Sequence, residues 1–429
     1  MHNAPTDHLL TFFRHYPAPA YLIGYSGGMD SHVLLHACSL LQRQLPHLKF
    51  RAMHIDHGLQ AVSASWALHC QGVCERLEIP LLVEHLHLAV PAGKSVEAVA
   101  REARYATFSR HLQAREILLT AHHQQDQAET LLLHLLRGSG VDGLAAMPQV
   151  RPFAPGSLGR PLLACSRSEL QDYAQRHQLD YIDDPSNMDR RFDRNFLRHQ
   201  VVPVLQQRWP SMQKTLARAA QLQAESRQLL SGFLQPKLAD MQGNQPNTLS
   251  VSRLLGQDTA MQKALLREWL AGQGFQMPEE KKLLHVLHDV LLSSPDATPC
   301  VQWAGCEIRR YRDDVYALQP LLPHDSTQIL EWDVTQPLVI PSLQRTLLPT
   351  LLGSWQKYLQ ENPATVTVRF RQGGESVWLP RRGGHHSLKH LLQEAGIPPW
   401  ERERLPLIHV GEQLVIIPGV LHVQPKGQD

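Results

Sequence analysis

Residues 25–31 read Tyr25-Ser26-Gly27-Gly28-Met29-Asp30-Ser31. A short apolar run, Ala20-Tyr21-Leu22-Ile23-Gly24, precedes them. An amphipathic run with Val33, Leu34, Ala37, Leu40 and Leu41 follows. The order predicts strand, small-residue loop and helix N-terminus. Such a loop gathers free backbone N–H groups at the positive end of a helix dipole and favours an anion. Gly27 and Gly28 allow a tight turn and close approach to a ligand. Ser26 and Ser31 add hydroxyl donors. Asp30 would repel a phosphate unless a divalent cation lay between them. A plain Ser-Gly-Asp turn is the bland alternative, and the whole string in a strand–loop–helix setting argues against it.

The string lacks the Gly-Lys-Ser/Thr ending of kinase-type phosphate loops and the Gly-x-Gly-x-x-Gly spacing of dinucleotide folds. It resembles the PP-loop of ATP pyrophosphatases, which split ATP to AMP and pyrophosphate. Working outward, strand candidates at 20–25, 49–55, 80–88, 116–121 and 179–182 alternate with helical patterns at 65–77, 95–113 and 125–136. Alternation of this kind predicts a Rossmann-like parallel sheet covered on both faces, with ligands at the C-terminal ends of its strands.

Four further stretches fall at or soon after strand ends. His54-Ile55-Asp56-His57-Gly58-Leu59 either lines a nucleotide pocket with His54 and Asp56 or is a polar strand end closed by a Gly turn, the reading its residues alone favour. In Lys94–Tyr105, Ser95 is a candidate N-cap. Glu97, Arg101 and Arg104 share a face as a solvated ion-pair set or as arginines aimed at phosphate. In Thr120–Thr130, His122, Asp126 and Glu129 share a face. The two carboxylates complement a helix dipole, or they hold an ammonium or a metal. In Asp183–Arg198, Arg190, Arg194 and Arg198 recur every four residues, as a salt-bridged surface helix or as an RNA-phosphate contact. Spacing does not choose within the last three.

All five motifs lie in the order found in tRNA(Ile)-lysidine synthetases: the PP-loop, His-x-Asp-His-Gly-Leu, Glu-x-x-Ala-Arg-x-x-Arg-Tyr, Ala-His-His-x-x-Asp-Gln-x-Glu-Thr, and Asp-Pro-Ser-Asn with its Arg-Asn. The chain resembles that family over residues 26–198, and more loosely beyond. The resemblance implies a ligase that adenylates the wobble cytidine of a tRNA(Ile) with a CAU anticodon and then joins free L-lysine to it, releasing AMP and pyrophosphate. It implies ATP held by Ser26, Gly27, Gly28, Met29, Asp30 and Ser31 with His54 and Asp56 alongside, and Mg²⁺ on Asp30. Lysine falls to Asp126 and Glu129, and Asp30, Arg104 and Asp126 become the catalytic candidates. A PP-loop tRNA thiolation enzyme and a non-catalytic tRNA-binding protein with a relic ATP site are the alternatives.

The 429 residues suggest two to four domains. The expected division is a catalytic domain at 1–212, a mainly helical middle domain at 213–345 and a small α+β C-terminal domain at 346–429. The last two are expected to bind tRNA. Net charge is only +2, so a nucleic-acid surface must be local. Between Val366 and His390, Arg369, Arg371, Arg381, Arg382 and Lys389 stand against Glu375 alone. They join Arg190, Arg194 and Arg198 as tRNA-contact candidates. His385 and His386 stand where many family members would carry a further basic residue. The six cysteines contain no Cys-x-x-Cys pair and read as reduced thiols in a cytoplasmic protein. No run of about 18 apolar residues predicts a membrane span.

Overall fold

The computed structural model describes residues 4–56, 58, 63–86, 88, 96–183, 191–294, 297–379 and 383–425, without the side chains of Ser63, Ala64 and Glu97. The chain forms two compact units, Met1–Leu230 and Ser231–Asp429.

The first unit begins with α1 (Ala4–His15), β1 (Tyr21–Gly24), α2 (Met29–Gln44), β2 (Phe50–Asp56), α3 (Ser63–Leu77), β3 (Leu81–His85), α4 (Val96–His111), β4 (Ile117–Leu119) and α5 (Gln124–Leu136). A helical turn, α6 (Val141–Leu144), leads to a hairpin of β5 (Val150–Phe153) and β6 (Gly156–Gly159), then to α7 (Arg167–Arg176). The sheet order is β3-β2-β1-β4-β6-β5, parallel except for β5. The strands are short and apolar because both faces are buried. Leu22 and Leu118 pack on one side with Phe108 and Leu158, while Tyr21, Ile23 and Leu119 join α1 and α2 on the other. The chain passes from β1 outward to β2 and β3, then returns to β4 on β1's other side. The loop after β1 therefore lies at the switch point, where open α/β sheets bind ligands.

Two sequence expectations change here. Leu179–Ile182 is not a strand. Ile182 donates its N–H to the Gly27 carbonyl at 3.0 Å, and the segment packs beside the PP-loop with Leu179 and Ile182 against the core. The strands β5 and β6 were not expected, because Pro152, Gly156 and Gly159 interrupt the apolar pattern that marks a strand.

After α8 (Asp193–Phe196) the backbone widens into a π-helical turn, Leu197–Val201, followed by α9 (Val202–Arg208) and α10 (Met212–Asp240). The division between the units falls within α10.

In the second unit, β7 (Leu249–Ser250), α11 (Val251–Leu255), α12 (Thr259–Gly272) and α13 (Glu280–His285) precede β8 (Cys300–Trp303), β9 (Cys306–Tyr311) and β10 (Asp314–Leu318). The helices share one core with the antiparallel sheet β7-β10-β9-β8. The remainder is a small α+β assembly. Its strands are β11 (Leu330–Glu331), β12 (Leu338–Ile340), β13 (Arg345–Leu347), β14 (Val366–Arg369), β15 (Ser376–Leu379), β16 (Gly384–Ser387), β17 (Leu407–Val410), β18 (Gln413–Ile417) and β19 (Leu421–His422). Its helices are α14 (Ser354–Glu361), α15 (Leu388–Glu394) and α16 (Pro399–Arg402). The antiparallel sheet β11-β14-β17-β18-β19 organises it. Among the described residues no helix is long and apolar enough to cross a membrane.

Candidate active site

The PP-loop turns on Gly27, whose φ is +84°. A Cβ there would lie 2.6 Å from Ile182 Cδ1 and 3.0 Å from Cys70 Sγ. Ser31 Oγ closes the loop, accepting from Ser26 N–H at 3.2 Å and donating to the Gly28 carbonyl at 2.9 Å. The α2 N-terminus has no side-chain cap. Its first-turn N–H groups are therefore offered to an external acceptor, with Met29 and Asp30 in that turn.

Asp30 Oδ1 is buried without a hydrogen-bond partner. Its Oδ2 faces His123 Nε2 at 3.6 Å and Arg167 Nη1 at 3.8 Å. No group of three metal-ligating side chains occurs among the described residues. A single orphaned carboxylate beside a phosphate-seeking loop nevertheless suits Mg²⁺, which takes one or two carboxylates and completes its shell with phosphates and water.

His123 bridges the loop to the carboxylate helix. It caps α5: its Nδ1 accepts from Gln125 N–H at 3.2 Å, and its own N–H donates to Asp126 Oδ2 at 2.9 Å. With Nδ1 occupied as an acceptor, the ring proton sits on Nε2. That atom faces Asp30 and, at 3.5 Å, Asp126. Burial lowers the His123 pKa, but Asp126 and Asp30 outweigh it and the net direction is upward. Its neighbour His122 is held neutral, pushed down to about 3 by burial.

Asp126 and Glu129 lie on the buried side of α5, where they meet Arg194 of α8 and Arg198 of the π-helical turn. Arg194 donates from Nε to Glu129 Oε2 at 2.9 Å and from Nη2 to Asp126 Oδ1 at 2.8 Å. Arg198 donates to both Glu129 oxygens, at 2.7 and 2.8 Å, and to Asp126 Oδ1 at 3.1 Å. Gln125 adds a bond to Glu129 at 2.9 Å. Burial alone would raise the Asp126 pKa. His123 and the two guanidiniums reverse that and hold it well below the usual carboxylate range. A carboxylate so held is a poor proton acceptor, which weighs against Asp126 as a general base.

The expectation that Arg194 and Arg198 present a face to RNA phosphate therefore meets a different placement: both guanidiniums are engaged with carboxylates. The every-four-residue spacing identified one face but not its partner. Arg190 and the Asp184–Asn187 part of that motif lie outside the described residues, as do His57, Leu59, Lys94, Ser95, Arg381 and Arg382.

His54 and Asp56 are buried in supporting bonds. His54 Nδ1 lies 3.0 Å from the Tyr25 carbonyl and ties β2 to the start of the loop. Asp56 accepts from Gly58 N–H at 2.8 Å and meets His85 Nδ1 at 3.1 Å. These bonds make the Gly-closed strand end. On α4, Arg101 and Arg104 stack toward Tyr105, 5.0 and 5.8 Å from its ring centroid. In the tail, Arg369 pairs with Glu412 at 3.1 Å and Arg371 lies 3.7 Å from Glu375. Lys389 is exposed.

Two residues at the site escaped the sequence reading. Arg167 follows Ser166, whose Ser-x-x-Glu capping box with Glu169 opens α7 and was a legible signal. Arg160, at the end of β6, is 4% exposed. Its Nη1 donates to the Pro148 carbonyl at 2.7 Å while its Nε has no partner. Burial, with Arg151 and Arg101 nearby, pulls its pKa down to about 10. No local pattern marks it beyond its place after a Gly-rich strand.

The fold and the loop define an ATP-binding protein of the PP-loop class, and a PP-loop domain model matches residues 1–205. Residues 249–316 match the TilS substrate binding domain, and 366–428 the TilS substrate C-terminal domain. The chain is 42% identical over 399 residues to a tRNA(Ile)-lysidine synthase from Coxiella burnetii, covering 93% of this chain and 88% of that protein. It is 44% identical over 419 residues to one from Yersinia pseudotuberculosis, covering 94% and 92%. It belongs to the tRNA(Ile)-lysidine synthase family. Among solved structures, a U34-tRNA thiolase, NcsA, from Methanococcus maripaludis aligns at 16% identity and a TM-score of 0.43, over 52% of this chain and 78% of that one.

Proposed function

We propose that this protein is a cytoplasmic ligase that forms lysidine at the wobble cytidine of a tRNA(Ile) bearing a CAU anticodon. The carbonyl oxygen on the cytosine ring attacks the α-phosphate of ATP and pyrophosphate leaves. The side-chain amine of free L-lysine then attacks the adenylated ring carbon, and AMP leaves. The observation that carries this reading is His123 between Asp30 and Asp126, which joins the phosphate loop to the carboxylate pair in one site. Family membership over nearly the whole chain supports it.

The PP-loop amides and Ser26 and Ser31 bind the phosphates. Asp30 would hold Mg²⁺, which when bound neutralises phosphate charge. Asp126 and Glu129 attract the cationic groups of lysine, sharing acceptors with Arg194 and Arg198. Arg104, or Arg101, stabilises charge near the α-phosphate. A catalytic domain, a middle domain and a C-terminal domain that begins with β11 divide the work, the last two gripping tRNA. Lys389 is exposed for phosphate contact, with Arg381 and Arg382 assigned the same task. Replacing Arg381 and Arg382 together by Ala is expected to weaken tRNA binding and flatten its salt dependence, read by filter binding at several salt concentrations.

Thiol chemistry finds no support. Four buried cysteines, Cys70, Cys74, Cys165 and Cys306, are pushed up to about 12 by burial, far from the thiolate needed for sulfur transfer. The deciding test incubates the protein with tRNA, ATP, Mg²⁺ and labelled lysine and analyses the nucleosides by mass spectrometry. A cytidine that gains lysine is expected. Unmodified cytidine, or thiolated cytidine when a sulfur donor is present, would sink the reading.

A further inference from the structure

A cleft of about 470 Å³ opens in the second unit among the end of α10, the turn before β7 and the end of α12. That volume is in the range of small-ligand sites. No charged side chain lines it, although 19% of the chain is charged. The cleft therefore offers no charge to pair with a phosphate or an ammonium group.

Its lining is part apolar and part amide. Leu238, Leu249 and Trp269 supply the apolar part. The Trp269 Nε1–H is already given to the Asn247 carbonyl at 3.2 Å, and Gln273 Nε2 donates to the same oxygen at 3.3 Å. These bonds pin the turn at Asn247, whose φ is +60°. The side-chain amides of Gln242, Gln245 and Asn247 line the cleft, are exposed, and have no partner among the described residues. Each carboxamide sets a donor and an acceptor in one plane. A nucleobase edge presents donors and acceptors side by side in the same way. Proteins take unstacked bases from single-stranded RNA by covering a base face and hydrogen-bonding its edge.

We propose that this cleft receives one unpaired, unstacked nucleobase of the RNA substrate. The proposal rests on the reading of tRNA as that substrate, and on the cleft's chemistry for which part of it is held. The test uses the full chain. An added Cβ at Gly272, which lines the cleft, would meet nothing within 4 Å, so Gly272→Met adds bulk at the lining without a clash at its Cβ. Its tRNA affinity is expected to fall about tenfold. The slope of log affinity against log salt should stay at the wild-type value, because no phosphate contact is removed. Gln242→Leu keeps bulk and deletes an amide, so a fall of about threefold is expected. Chemical probing of bound tRNA should show a single-stranded base protected by the wild type and reactive again with Gly272→Met. Wild-type affinity and protection in both variants would overturn the base site, and so would a salt slope that falls with affinity. If the wild-type protein bound no tRNA at all, the functional reading itself would fail.

Discussion

Asp30 shows how much one side chain can be asked to do at the head of a helix. A carboxylate in the first turn of α2 suits the dipole, yet Oδ1 is left buried and unpaired, a cost the fold bears only where a ligand repays it. Asp30→Ala is expected to abolish AMP formation while tRNA affinity stays near wild type. AMP assay and filter binding on the same preparation check both halves. A purely structural carboxylate behaves differently. Glu116 is 1% exposed and is held by Arg51 through bonds of 2.8 and 2.6 Å. Arg51→Met strands that charge and is expected to cost about 3–5 kcal/mol. Arg51→Met combined with Glu116→Leu should recover part of it in the same denaturant titration.

At the scale of elements, the strand–loop–helix at 21–44 was legible because each level agreed: an apolar strand, two glycines, then helical periodicity. The glycines are not equivalent. Gly27 needs a positive φ and has no room for a Cβ, whereas a Cβ at Gly28 would meet Ser26 Oγ at an ordinary 3.6 Å. Gly27→Ala is therefore expected to lower the melting temperature and remove ATP binding, while Gly28→Ala melts like the wild type. Equal melting of the two would refute the steric account. The β5–β6 hairpin was hidden because Pro152 and Gly156 are read as breakers, and β5 tolerates Pro as an edge strand. The pairing of Arg194 and Arg198 with Asp126 and Glu129 was hidden for another reason. Periodicity tells which residues share a face, but a partner about 65 residues away is set by tertiary packing. His54 and Asp56 show the converse: the bland reading of their residues describes the bonds they make.

The whole molecule carries 25 histidines, and several are buried uncharged. His32 and His36 on α2 are each pulled down to about 4, chiefly by burial and then by neighbouring histidines. His36 Nδ1 also lies 2.9 Å from the Tyr173 hydroxyl of α7, so the ring is held inside this helix pairing, where burial disfavours its charged form. With a folded pKa below the unfolded value of about 6.5, the unfolded chain binds more protons on acidification. Stability is then full above about pH 6.5 and is lost progressively as pH falls from there toward 4. Asp126, Asp313 and Glu280, held below the usual carboxylate range with their partners outweighing burial at the two aspartates, add a second loss at lower pH. A calorimetric melting temperature that is flat from pH 8 to 7 and falls between 6.5 and 5 is expected. His36→Gln should melt lower than wild type at pH 8, because its ring contacts are lost, yet show a shallower fall over the acid range. A melting temperature independent of pH down to 5, or an undiminished slope in the variant, would show that these buried rings do not set the acid limit of the fold.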